Sequence, residues 1–325
     1  IVNTDTETGS KMIEELNNTE SESDLSLQVI SDISEKDTTK LNTLSENNKE
    51  QIEKLTETAV KNADASEESA QLIAKIVAVA SDELVNKVVE EVSKNSTEEN
   101  QALSAKVMKS IVETNPEKIE ILSEENKETM ITQTIDAAKN QAEGTSSDEI
   151  DLTNSIAVII TKSDIGTAAK VLNILEEVSD ESNSNLSLSV VSNLTKQENY
   201  EEKMEILSTT SLIVEQSITK LIERAVDNAS SEEDLEIVTN IVENSKGTIA
   251  DKIIESANNN EESKKKITKI IIDIVEKSPK KAIEILEKNK NTNTVLETIK
   301  TKIENGDAVS TDDFDDVFER NVTPN

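Results

Sequence analysis

Any catalytic site in this chain would have to be assembled from carboxylates, lysines and one tyrosine. Among its 325 residues there is no histidine and no cysteine. That removes the side chain most used for proton transfer near neutral pH, for activating a serine and for holding zinc, and it removes the thiolate as nucleophile or metal ligand. The single tyrosine, Tyr200, heads the stretch YEEKMEI, where a lone ring at a helix start packs rather than reacts. The carboxylate pairs are the ordinary surface of acidic helices, and the five glycines lie too far apart to form a phosphate-cradling loop. These residue types argue against an enzyme.

Charge narrows the partners. The formal net charge is −33, and 32 of the 34 basic residues are lysines, Arg224 and Arg320 being the exceptions. A field of that sign repels nucleic acid and anionic lipid, because phosphate binding draws on clustered cations that release counterions. No cofactor is expected; such a surface attracts divalent cations and would accept calcium without demanding it, since a hard cation prefers carboxylate oxygen. Even so, the acidic run from Asp312 to Glu319 lacks the glycine and terminal glutamate of an EF-hand loop. No run of 18 apolar residues occurs, so no membrane span is expected. The chain opens at Ile1, with neither an initiator Met nor a cationic and apolar leader. A processed product or a piece of something longer is expected, and with it an extracellular or cell-surface location.

The core must be aliphatic, since the chain holds two Phe, one Tyr and no Trp. Its Ile, Val and Leu recur at helical spacing. Leu72, Ile73, Ile76, Val77 and Ala80, then Leu84, Val85, Val88, Val89 and Val92, mark apolar stripes on one helix face. Ser96 with Glu99, Ser146 with Glu149, and Ser230 with Glu233 have capping-box spacing, and Asn115–Pro116 and Ser278–Pro279 place a cap ahead of a first-turn proline. The Asn, Ser and Gly clusters at 94–97, 143–147, 228–231 and 258–260 interrupt any heptad run too often for a long coiled coil.

A longer period is written over these helices. EKIEILSEENKE at 117–128, EKMEILSTTSLI at 202–213 and KAIEILEKNKN at 281–291 are near-copies. With Leu44 as a fourth anchor beside Leu122, Leu207 and Leu286, the separations are 78, 85 and 79 residues. The breakers keep the same register: Gly166 and Gly247 are 81 residues apart, Gly144 and Gly306 are 162, and Pro116 and Pro279 are 163. Gly and Pro are placed by backbone need rather than by composition, so this agreement is an independent check. The expected fold is all-α: an α-solenoid of stacked short helical hairpins with four repeats of about 80 residues. It resembles HEAT, armadillo and tetratricopeptide arrays in architecture alone, without the sequence signature of any of them. The expected divisions are the end of a repeat at 1–46, full repeats at 47–121, 122–206 and 207–285, the start of another at 286–306, and an acidic tail at 307–325.

The ends extend the pattern. The opening 29 residues run parallel to the stretch from Ile159, and IENGDAVSTDDFDDVFERN runs parallel to QAEGTSSDEIDLTNSIAVI from Gln141. The chain is therefore expected to start and stop inside the repeat, leaving open faces that stack on copies of itself, head to tail. Candidate contact residues are Ile1, Val2, Met12, Ile13 and Leu16 at one end and Phe314, Val317 and Phe318 at the other. Phe314 and Phe318 are the chain's two Phe residues, and with Val317 they have the spacing of an apolar helix face. The expected role is that of a structural subunit in a filament or layer. A monomeric scaffold that binds another protein on its extended surface is the alternative.

Overall fold

The computed structural model describes residues 1–309 apart from 2, 19–22, 38, 40–42, 45–46, 48, 62, 95–96, 143–150, 181–185, 230, 245–260, 278, 281 and 284–293. Val2, Phe314, Val317 and Phe318, and the cap candidates Ser96, Ser146, Glu149, Ser230 and Ser278, lie outside the described residues.

Among the described residues the chain is all-α, with sixteen helices and no strand. They are α1 (Thr6–Asn18), α2 (Ser23–Lys36), α3 (Lys49–Lys61), α4 (Glu67–Val79), α5 (Asp82–Ser93), α6 (Glu98–Thr114), α7 (Glu117–Glu120) and α8 (Glu124–Ala142). After these come α9 (Leu152–Lys162), α10 (Ile165–Asp180), α11 (Leu186–Thr195), α12 (Tyr200–Thr210), α13 (Leu212–Asn228), α14 (Glu232–Asn244), α15 (Glu261–Lys277) and α16 (Thr294–Asn305).

Several helix starts have a local cause. Ser66 starts α4 by accepting the Ser69 amide at 3.1 Å, Asp151 starts α9 through the Asn154 amide at 3.2 Å, and Ser211 starts α13 through the Val214 amide at 3.2 Å. Two caps sit one residue later than the capping-box spacing suggests. Thr97 caps α6 through the Asn100 amide, and Ser231 with Asp234 forms the reciprocal box at α14, with bonds of 3.1 and 2.9 Å. Both sites carry two adjacent hydroxyl residues, so spacing alone is ambiguous by one. Replacing Thr97 with alanine should lower stability by about 1 kcal/mol, measured by urea unfolding. No effect there, with a loss from Ser96→Ala instead, would return the cap to Ser96.

α16 ends in a Schellman turn. Gly306 has φ 75°, its amide donates to the Ile303 carbonyl at 3.1 Å, and the Asp307 amide reaches Lys302 at 2.8 Å. Gly166, the second residue of α10, is glycine for a different reason, since a Cβ there would stand 3.0 Å from Asp164 Oδ1.

The chain divides into two compact units, Ile1–Ile174 and Leu175–Asn325. In the first, helices pack in two rows: α1, α3, α5 and α8 touch in succession, and so do α2, α4, α6 and α9. Contacts between α2 and α3, α4 and α5, α5 and α6, and α8 and α9 join the rows. In the second unit α11 packs on α13 and α14, and α15 packs on α13 and α14. Both units therefore use contacts between helices that are neighbours in sequence, as expected of short amphipathic helices that cannot bury an apolar stripe alone.

Among the described residues the core is aliphatic apart from Tyr200. Ile52, Leu55, Ile73, Ile76, Val85, Val88, Met108, Ile135 and Ile156 are fully buried. Many hydroxyls are buried beside them, and some are satisfied by their own helices. Ser93, Thr134, Thr161 and Thr239 each donate to the carbonyl four residues back, at 2.7–2.8 Å. The satisfaction is incomplete: the buried hydroxyls of Ser31, Thr56 and Ser155 find no hydrogen-bond partner.

Candidate interaction surfaces

Polar ties hold one helix to another at regular reach. Asn17 Nδ2 donates to the Gln51 carbonyl at 2.9 Å. Asn86 works as a clamp between α5 and the start of α8: its amide nitrogen reaches the Ile121 carbonyl at 3.1 Å, and its oxygen accepts the Ser123 amide at 2.7 Å. In the buried space between α5, α6 and α8, Ser104 Oγ donates to Gln133 Oε1 at 2.5 Å, and Gln133 Nε2 donates to the Ser93 carbonyl at 2.8 Å.

A subset of these ties shares one purpose. The last carbonyls of a helix have no partner within it and carry the negative end of its dipole. Here a downstream side chain supplies the donor: Gln133 to Ser93 at the end of α5, Lys118 to Ala80 at 3.0 Å after α4, and Lys266 to Asp227 at 2.7 Å in the last turn of α13. Arg224 likewise reaches the Glu176 carbonyl of α10 at 2.5 Å, and the buried Lys106 reaches Ala65 in the α3–α4 linker. In all five pairs the donor lies 38 to 48 residues after its acceptor. Lys266 belongs to the KKK run that in the sequence looks like a solvated face, yet it is half-buried and tied to α13.

Carboxylates are held in place as helix caps. Asp5 accepts the Thr8 amide at 2.9 Å, which holds its carboxyl below the usual range. Partial burial pushes Asp164 up, but hydrogen bonds from the Thr167 hydroxyl and amide and from the Gly166 amide outweigh it and leave the carboxyl low. Asp64 is lowered first by the Ser66 hydroxyl at 2.5 Å and then by the Ser69 hydroxyl at 2.6 Å. Burial raises Asp136 and Asp273.

A cleft of about 260 Å³ between α4 and α6 is lined by Gln71, Lys75, Ser110, Glu113 and Asn115 among others. Its lining sets one carboxylate and one ammonium beside amides and the hydroxyls of Ser110 and Thr114, which together could hold a polar group. Among the described residues no group of three or more Asp and Glu side chains is arranged to hold a metal ion, and no helix is long and apolar enough to cross a membrane. Tyr200 is buried, and its hydroxyl donates to the Asn240 carbonyl at 3.5 Å, a packing role.

The contact candidates divide by burial. Ile13 is fully buried, Leu16 is half-buried, and Met12 is 45 % exposed. Ile1 is half-buried, and its carbonyl accepts both the Thr4 amide and the Thr4 hydroxyl. Among the described residues the exposed large apolar side chains are Leu212 and Ile213 at 64 and 65 %, Met12, and Ile206 at 42 %, and of these only Met12 is a candidate from the sequence. A signal for them exists: the first turn of α13 reads Leu-Ile after its Ser cap, where the matching turn of α8 reads Glu124-Glu125 after Ser123. No protein-family model matches this chain, and no curated protein matches it.

Proposed function

We propose that this chain is a non-enzymatic structural repeat protein: an α-solenoid of four periods of about 80 residues, whose copies join head to tail into an extracellular or cell-surface filament or layer. The observation that carries this reading is the reach of the inter-helix ties. From Asn17–Gln51 to Arg224–Glu176, those named above span 29 to 48 residues. Each stretch is therefore tied to the next one along, and in the five carbonyl ties grouped above the donor belongs to the later stretch. A linear scheme of that kind can be extended by another copy without changing its rules. A charge of −33 on every copy opposes such stacking at long range, so assembly should strengthen as salt screens it.

The second reading is a monomeric scaffold that binds another protein, and the exposed Ile206, Leu212 and Ile213 favour it. Electron microscopy across a concentration series, with and without residues 307–325, separates the two. Filaments that vanish on deletion are the expected result. Short isolated particles in every sample would sink the polymer and favour the scaffold.

A further inference from the structure

Asn305–Gly306 is the one Asn-Gly step in the sequence, and it falls where α16 ends. Both residues are exposed. Gly306 has φ 75°, and a Cβ placed on it would meet nothing within 4 Å, so backbone torsion rather than crowding calls for glycine here. With no Cβ beside it, the Gly306 nitrogen meets little steric barrier on its way to the side-chain amide carbon of Asn305.

The closed turn holds that nitrogen back. The Gly306 amide donates to the Ile303 carbonyl at 3.1 Å, and the Asp307 amide closes on Lys302 at 2.8 Å. As the last residue of α16, Asn305 also has a helical torsion that keeps its amide carbon and the next nitrogen out of the planar ring they would have to form. Several other asparagines lack this combination. Asn115 precedes Pro116, whose nitrogen bears no hydrogen, and Asn17, Asn86 and Asn126 have their side-chain amides bonded to other segments.

We infer that Asn305 is a site of spontaneous deamidation and isomerisation, gated by the Schellman turn that closes α16, and that the product holds this turn open. When the turn frays, the Gly306 nitrogen loses its proton to hydroxide and its electron pair forms a bond to Asn305 Cγ. The bond from Cγ to the amide nitrogen breaks, and ammonia leaves with a proton taken from water. One water then opens the resulting succinimide. Cleavage of the new bond at Cγ restores the main chain and leaves aspartate, whereas cleavage at the main-chain carbonyl carbon leaves isoaspartate, with the chain running through the side chain. In sum an amide and water become a carboxylic acid and ammonia.

Both products oppose the closed turn. Each adds a carboxylate at the negative end of the helix dipole, where Glu304 and Asp307 already stand against Lys300 and Lys302. Glu304 lies 3.9 Å from Lys300, and Lys302 is the cation of the last turn. Isoaspartate also lengthens the main chain by a methylene inside the turn, so the two closing bonds lose their spacing.

The full chain is held at mildly alkaline pH, in buffer and in urea, then digested for mass spectrometry. In urea Asn305 should convert ahead of every other asparagine, to both aspartate and isoaspartate. In buffer it should convert roughly tenfold more slowly than in urea, because the last turn must open first. Another asparagine leading in urea, or no conversion of Asn305 in buffer, would remove the site, and equal rates in the two would remove the gate. Asn305→Asp isolates the added charge: hydrogen exchange of the amides at 303–307 should quicken roughly two- to fivefold, with those of α6 unchanged. Unaltered exchange in that turn would show that the charge does not open it.

Discussion

Leu103→Ala is expected to lower the free energy of unfolding by about 2–5 kcal/mol. Leu103 is 2 % exposed in α6, the most connected helix of the first unit, which touches α4, α5, α7, α8 and α9. With neighbours on so many sides the site cannot collapse into the space the truncation opens, so the cavity cost adds to the lost transfer free energy. Urea unfolding followed by circular dichroism measures it. Leu212→Ala is the matched control: the same chemistry at a side chain 64 % exposed should change stability by no more than about 0.5 kcal/mol. Equal effects from the two would mean that α6 is not at the centre of its unit.

Gln133→Leu is expected to cost about 2–4 kcal/mol, because it strands two buried groups at once. Gln133 is 5 % exposed and bridges the Ser104 hydroxyl to the Ser93 carbonyl. The leucine is close in volume, so the loss comes from desolvated, unpaired polar atoms rather than from a cavity. Removing the stranded hydroxyl as well, in Gln133→Leu with Ser104→Ala, should recover part of the loss, and a double-mutant cycle reads the coupling directly. A Gln133→Leu chain as stable as wild type would show that these bonds contribute nothing net.

Helical character and an aliphatic core were legible in the residues, because both follow from short-range rules. Ile73, Ile76 and Val77 lie on one face by spacing alone, and all three are buried. The starts of α6 and α14 were legible to within a residue, and the differences at Thr97 and Ser231 fall where two hydroxyl residues stand together, whereas the caps at Ser66, Asp151 and Ser211 were not read from spacing. The long-range donors were not legible. Nothing near Lys118 or Lys106 marks them as partners of Ala80 and Ala65, since donor and acceptor are separated by 38 and 41 residues. The exposed pair Leu212 and Ile213 was overlooked because a stripe of apolar residues says which side chains could be buried and not which ones have a neighbour to bury them.

The sequence by itself determined an all-helical chain with an aliphatic interior, a heavily acidic surface and no histidine or cysteine chemistry, because propensity, periodicity and composition act over a few residues. Only the tertiary structure decided that Ile13 lies inside while the adjacent Met12 lies out, and that helix ends are completed by side chains about 40 residues downstream. Burial and hydrogen bonding at those positions depend on which helix arrives alongside, and that is a property of packing rather than of any local stretch.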